Sequence, residues 1–165
     1  VVEEPTLQVA RSPASHGGLI AALLIAGLGC GGSPPYPVTP TASDARALIA
    51  AGPSRNVAVT SPDPATPLQP LIVPLPFAAA RDSLAALIRH LPRWSVAGAT
   101  DSVVWATRTT RLFRFVDDVL LLLEPLGDST RVHGRSGSRV GKGDMGQNRR
   151  NLAELRDALA EGRNR

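Results

Sequence analysis

Residues 112–140 read LFRFVDDVLLLLEPLGDSTRVHGRSGSRV, and this stretch decides the fold. Leu112 to Glu124 is a long apolar run with the composition of a strand. In an extended strand, alternate side chains face opposite sides. One side then carries Phe113, Phe115, Asp117, Val119 and Leu121, and the other Arg114, Val116, Asp118, Leu120 and Leu122. Both sides are largely apolar, yet each holds a carboxylate at mid-strand. A carboxylate buried there must be paired or hydrogen-bonded, because isolated burial is strongly unfavourable. Adjacent Asp residues in a strand point apart, so Asp117 and Asp118 cannot share one water or one proton.

Pro125-Leu126-Gly127-Asp128 reads as a turn, and Thr130 to Val140 as the next strand. One side of that strand presents Val132, Gly134, Ser136, Ser138 and Val140, small residues over which a helix packs closely. The other presents Arg131, His133, Arg135, Gly137 and Arg139. If the two strands pair across the turn, an Asp meets Arg135 or Arg139 on a shared face, and a bidentate Asp–Arg pair is expected.

Upstream, Val103 to Thr109 is β-branched and Thr-rich, which predicts a strand. A shorter strand is expected over Trp94 to Ala97, with Gly98 turning the chain. Phe77, Ala80, Leu84, Leu87, Ile88 and Leu91 recur at spacings of three and four, which predicts a helix between Pro76 and Pro92. Residues 53–76 hold seven Pro and can only skirt the fold or lie on a sheet edge, with Leu71-Ile72-Val73 as a short edge strand. Ser43-Asp44 caps a short helix over Ala45 to Ala51 that Gly52 stops. Downstream, a last helix opens near Asp144 and ends at Gly162. The order of elements, with short turns between consecutive strands, argues for an α+β fold. The expected architecture is an antiparallel meander sheet of four to five strands with two helices packed on one face.

The loop Gly141-Lys142-Gly143-Asp144-Met145-Gly146-Gln147-Asn148 leads into that last helix. Asp144 and Gln147 have capping-box spacing, so Asp144 is expected to satisfy free N–H groups of the first turn. A Gly-rich loop before a helix N-terminus, flanked by Ser136, Ser138, Arg139 and Lys142, also suits an anion. It is not a P-loop, because Gly143 rather than Ser or Thr follows Lys142. A Ser136–His133–Asp118 triad can be drawn but finds no support, since Ser136 and His133 have opposite parity on one strand and no nucleophile elbow is present. With one Cys and three scattered His, no metal site or disulfide framework is expected, and no residue is assigned as catalytic.

Phe115-x-Asp117-Asp118, then Arg135-Ser136-x-Ser138-Arg139-x-Gly141-x-x-Asp144-x-Gly146-x-Asn148, resembles a bacterial and plastid family. That family is catalogued as "domain of unknown function 1499". The resemblance extends from about Asn56 to Leu159. In two places the sequence departs from the signature. Its final Arg falls on Asn151, beside Arg149 and Arg150, and its early Pro-Asn-Cys-like segment is Arg55-Asn56-Val57 here. The resemblance implies an envelope-associated domain and brings no activity with it.

Leu19 to Leu28 reads LIAALLIAGL, ten uninterrupted apolar or Gly residues. That is too short to cross about 30 Å of hydrocarbon but fits a secretory signal core. Cys30 follows at once among small residues, which resembles a bacterial lipoprotein processing site. The expected organisation is a signal peptide over 1–29, a lipidated Cys30 with a Pro-rich tether to residue 43, and one domain over 44–165. The family-like core of that domain spans 56–160. These features place the domain outside the cytoplasm in a bacterial envelope, lipid-anchored, or periplasmic if cleaved without lipidation.

The 165 residues hold 18 Lys and Arg against 14 Asp and Glu, and the excess lies after residue 130. All six aromatics lie before it, so no single-strand nucleic-acid platform is present and no nucleic-acid partner is expected. No cofactor is expected either. The sequence favours a non-catalytic lipoprotein that binds an anionic or lipidic ligand near Arg135, Arg139 and Lys142. The polar cluster Asp117, Asp118, Arg135, Ser136, Ser138, Arg139, Lys142, Asp144 and Asn148 then holds the ligand or builds the fold. The alternatives are a structural or protein-interaction module of the envelope, and a hydrolase-type enzyme. In the structural reading, Asp118→Asn and Arg139→Gln each destabilise by roughly 3–5 kcal/mol, as breaking a buried pair does.

Overall fold

A computed structural model describes residues 39–162. The signal peptide expected over 1–29 and the lipidated Cys30 lie outside the described residues. The first helix opens three residues before the expected Ala45. Helix α1 spans Ala42–Ala50, and Thr41, not Ser43, is its N-cap. The Thr41 hydroxyl accepts from the Asp44 N–H, and the Asp44 carboxylate accepts from the Thr41 N–H, a reciprocal capping box.

Six strands form one antiparallel sheet: β1 (Val57–Val59), β2 (Leu71–Val73), β3 (Trp94–Ala99), β4 (Val103–Thr109), β5 (Val116–Leu126) and β6 (Ser129–Ser138). The expected meander is β3-β4-β5-β6. Both short strands add to the outer edge of β6, with Val57 opposite Gly137 and Leu71 opposite Val132. Helices α2 (Phe77–His90) and α3 (Gln147–Gly162) pack on one face. Between them and the sheet lie Leu84, Ile88, Val104, Val119, Leu121, Leu123, Val132 and Leu155. On the other face α1 lays Ala45 over Val103, Leu120 and Leu122. The sheet is thus covered on both sides around β5, which explains why both parities of that strand are apolar.

Several assignments along the sheet differ from the sequence reading. β5 begins at Val116, not Leu112, because β4 ends at Thr109 and β6 at Ser138, leaving residues 110–115 no ladder to join. The β5–β6 turn is only Gly127-Asp128, with Gly127 at φ 59° as a two-residue hairpin turn requires. Pro125 stays in the strand. The Leu123 N–H points across to Ser102, so two residues on, the Pro125 nitrogen points past the end of β4 where no bond is lost. Gly98 does not turn the chain. It lies within β3, opposite Trp105, whose ring occupies the space a Cβ would need. The strand β1, between Asn56 and Thr60, was not expected.

Gly134 fixes how closely α3 approaches. A Cβ there would stand 2.9 Å from Leu152 Cδ2, so the small-residue side of β6 does carry a helix at close range.

Candidate functional site

The two carboxylates of β5 lie on opposite faces. Asp117 faces α3 and is almost fully buried. One oxygen accepts from the Ser138 hydroxyl at 2.6 Å and the other from the Asn151 amide at 2.8 Å. Asn151 also donates to Ser136 Oγ at 3.1 Å and accepts from the Gln147 amide at 2.8 Å. Ser136 in turn donates to Asn148 Oδ1 at 2.6 Å. The Asn148 amide donates to Ser138 Oγ at 2.9 Å and to the Asn56 carbonyl at 2.8 Å. The Asn56 amide reaches the Gly141 carbonyl. This closed circuit fastens α3, β5, β6, the segment before β1 and the loop after β6 to one another. Every side chain in it is buried or half-buried, so each bond replaces water that folding has removed.

Asp118 faces the other way. It accepts two bonds from Arg139, Nε at 2.8 Å and Nη2 at 2.7 Å, a bidentate pair. The carboxylate raises the pKa of the guanidinium by hydrogen bonding and charge, against a smaller effect of burial. The Arg139 side chain is 44% exposed, whereas that of Asp118 is 6% exposed. The pair therefore sits at the surface on one side, and solvent competes for it. Arg135 is buried on the same face, opposite Leu120 and Val59. His133 Nε2 lies 3.3 Å from Glu124, which also meets Arg46 at 3.3 Å. Ser136 and His133 stand on opposite faces of β6, as their parity dictates.

Asp144 caps α3 from outside it. Its two oxygens accept from the N–H groups of Gly146 at 3.0 Å and Asn148 at 2.7 Å. The reciprocal arm of a capping box is absent, because the Gln147 side chain turns to Asn151 and Arg150 instead. With those N–H groups taken, this helix start offers an anion less than the sequence suggested. Lys142 is exposed in the same loop. Among the described residues no group of three His, Cys, Asp or Glu side chains is placed to hold a metal ion.

The sequence matches the model of a family described as "Protein of unknown function (DUF1499)" over residues 33–159. The chain belongs to the DUF1499 family. Compared with curated proteins and with solved structures, it gives no match. Read on this structure, the DUF1499 signature positions have concrete duties. Asp117, Ser136, Ser138 and Asn148 are four members of the closed circuit, Asp118 and Arg139 are the surface pair, and Asp144 is the cap. The circuit includes Asn56, Gln147 and Asn151, which the sequence reading did not assign. Asn151 stands where the signature has Arg, and here its amide supplies one of the two bonds to Asp117. A signal was present: Asn148, Asn151, Leu152 and Leu155 form one stripe at helical spacing, with its amides toward the helix start. Arg108 also escaped notice. It lies opposite Asp117 across the β4–β5 ladder, is buried, and meets Glu154 of α3 at 3.3 Å.

An apolar concavity lies elsewhere. A groove of about 480 Å³ opens between β2, α2 and the last turns of α3. Leu71, Val73, Leu75, Leu87 and Leu159 line its walls, and Ser83, Gln69 and Arg156 supply the polar groups. Among the described residues no acid, His or Cys lines it.

Proposed function

We propose that this DUF1499 protein is a membrane-tethered, extracytoplasmic module that binds an amphiphilic, anionic ligand without turning it over. One observation carries the reading: the groove between β2, α2 and α3. Its volume is that of a small-molecule site, its walls are aliphatic, and Arg156 is the cation among its described lining residues. An acyl-sized chain fits walls of that kind, and a guanidinium suits a carboxylate or phosphate head. The ligand position thus moves from Arg135, Arg139 and Lys142 to Arg156. Arg139 is held by two bonds to the buried Asp118, whereas Arg156 has only a single exposed contact to Asp157, and Asp144 occupies the N–H groups that an anion near Lys142 would need. The described lining is aliphatic with Ser83, Gln69 and Arg156, which supports holding a ligand, and the signature carboxylates are engaged within the fold. The tether rests on the sequence around Cys30.

The test is native mass spectrometry of the full-length protein, extracted gently from its expression host. A reproducible excess mass, lost on denaturation and absent from Ala158→Trp, which fills the groove, is the expected result. A bare chain mass that stays bare after addition of phospholipid extract overturns the reading. The second reading, a structural or protein-interaction module, is favoured by the closed circuit around Asp117, and a bare mass would leave it standing.

A further inference from the structure

Five of the seven exposed large apolar side chains among the described residues sit on two loops at one end of the sheet. Leu112, Phe113 and Phe115 belong to the β4–β5 loop and are 79%, 70% and 48% exposed. Val140 and Met145 belong to the loop between β6 and α3. The loops are neighbours, because Arg139 N–H donates to the Val116 carbonyl at 3.1 Å. The β4–β5 loop has a built base. Thr110 N–H donates to the Phe115 carbonyl at 2.8 Å, and the Thr110 hydroxyl accepts from Phe115 N–H at 2.8 Å. Arg114 takes φ 54°, a left-handed turn that is uncommon outside Gly. The rings of Phe113 and Phe115 stack at 5.6 Å, so the aromatics form one projecting knob. Water-exposed apolar surface concentrated in this way marks a contact site.

Among the described residues, unpaired positive charge is concentrated at the same end. Strand pairing places the starts of β1, β3 and α3 at the knob end, and there Arg55, Arg93, Arg111, Arg114, Lys142 and Arg149 are exposed. The carboxylates of that end are engaged within the fold: Asp144 is turned into the α3 cap, Asp117 is buried in the circuit and Asp118 is held by Arg139. The far end is mixed: its β3–β4 and β5–β6 turns carry Asp101 and Asp128, and Arg81 and Arg46 there meet Asp101 and Glu124. A projecting apolar tip within a field of cations suits a uniformly negative surface with a soft apolar layer beneath it. Anionic phospholipid presents that combination. A protein partner would have to offer a concave apolar pocket ringed by acids.

We propose that the knob end is a bilayer-docking surface. Leu112, Phe113 and Phe115 enter the interfacial layer of an anionic membrane, and the surrounding Arg and Lys side chains lie among the headgroups. This goes beyond the groove, which is at the other end of the sheet, and does not depend on it.

The test uses the full-length protein carrying Phe113→Trp, an exposed site that tolerates the change, against the parent as background for Trp94 and Trp105. Vesicles contain phosphatidylglycerol with phosphatidylcholine, or phosphatidylcholine alone, with brominated acyl chains as quencher. The added indole reports its own depth, whatever residues 19–30 do in the same vesicle. Expected are a blue shift and quenching that need phosphatidylglycerol and weaken in high salt. Adding Arg111→Glu and Arg114→Glu should lower the quenching partition more than ten-fold, since each cation at an anionic surface is worth roughly five-fold. An indole that stays water-exposed on both vesicles overturns the proposal, as does quenching independent of lipid charge. A shift that follows protein concentration without lipid overturns it in favour of a second copy as the occupant. Ala158→Trp should leave knob quenching intact, so failure of the groove and failure of the knob are told apart.

Discussion

Asp117 and Asp118 are joined by one peptide bond, yet β5 sends them to opposite faces, and the two faces satisfy a carboxylate by different means. Towards α3, where water is excluded, Asp117 is held by neutral donors, Ser138 and Asn151, which are themselves held by other buried groups. Towards α1, at the margin of a cover only nine residues long, Asp118 takes a charged partner that keeps one side in water. The difference teaches what a shared sequence motif conceals. The same residue type is a keystone on one face and a peripheral brace on the other, because the depth of cover decides whether a broken bond can be replaced by water.

That contrast can be broken most forcefully at Asp117. Asp117→Ala strands Ser138 and Asn151 in a dry interior and should cost about 3–5 kcal/mol in denaturant unfolding. A loss of less than about 1 kcal/mol would show that water enters the α3 face. Gly134→Ala probes the closeness of the same face by pushing Leu152 outwards. It should cost about 1–3 kcal/mol, with α3 amides losing hydrogen-exchange protection before those of β4 and β5. On the other face, Arg139→Gln should cost only about 1 kcal/mol, less in high salt, since exposure of the guanidinium discounts the buried-pair figure that sequence alone suggests. A cost equal to that of Asp117→Ala would erase the distinction. The smallest effect is a pH dependence in α1. Thr41 N–H and hydroxyl hold the Asp44 carboxyl below the ordinary carboxylate range. A lowered folded value means that the stabilisation is complete above the unfolded value and is lost as pH falls through the folded one. Amide exchange at Thr41 to Ala45 should therefore quicken in strong acid before that of α3 does.

Much of this was legible beforehand because strands impose a period of two. Parity separated Asp117 from Asp118, set Ser136 against His133, and marked Gly134, Ser136 and Ser138 as a bed for a helix. The period does not reveal where a partner strand stops. Leu112, Phe113 and Phe115 continue the alternation of β5, yet they project beyond the ends of β4 and β6 and form the knob instead. Asn56 and Asn151 were missed for a related reason. An Asn in a helix or beside a turn reads as solvent-facing, and only tertiary packing turns those amides inward. The groove was invisible because β2, α2 and the end of α3 lie far apart in the sequence. Pro125 misled in a simpler way, since its effect depends on which side of the strand its nitrogen faces.

The outer edge of β6 has a consequence for biogenesis. The strands that cover it, β1 and β2, are made first, but their partner is completed only at Ser138. While the chain emerges, the stretch from Pro53 to Pro76 must wait without a ladder to join, and waiting strands are the ones that find the wrong neighbour. Its seven prolines interrupt that hazard, since each removes a donor that stray pairing would use. The meander from β3 to β6 is assembled from hairpins local in sequence and offers a finished template onto which the early segment folds back. Proline density before the first long helix thus acts as a timing device, keeping the first strands of the sheet unpaired until their proper edge exists.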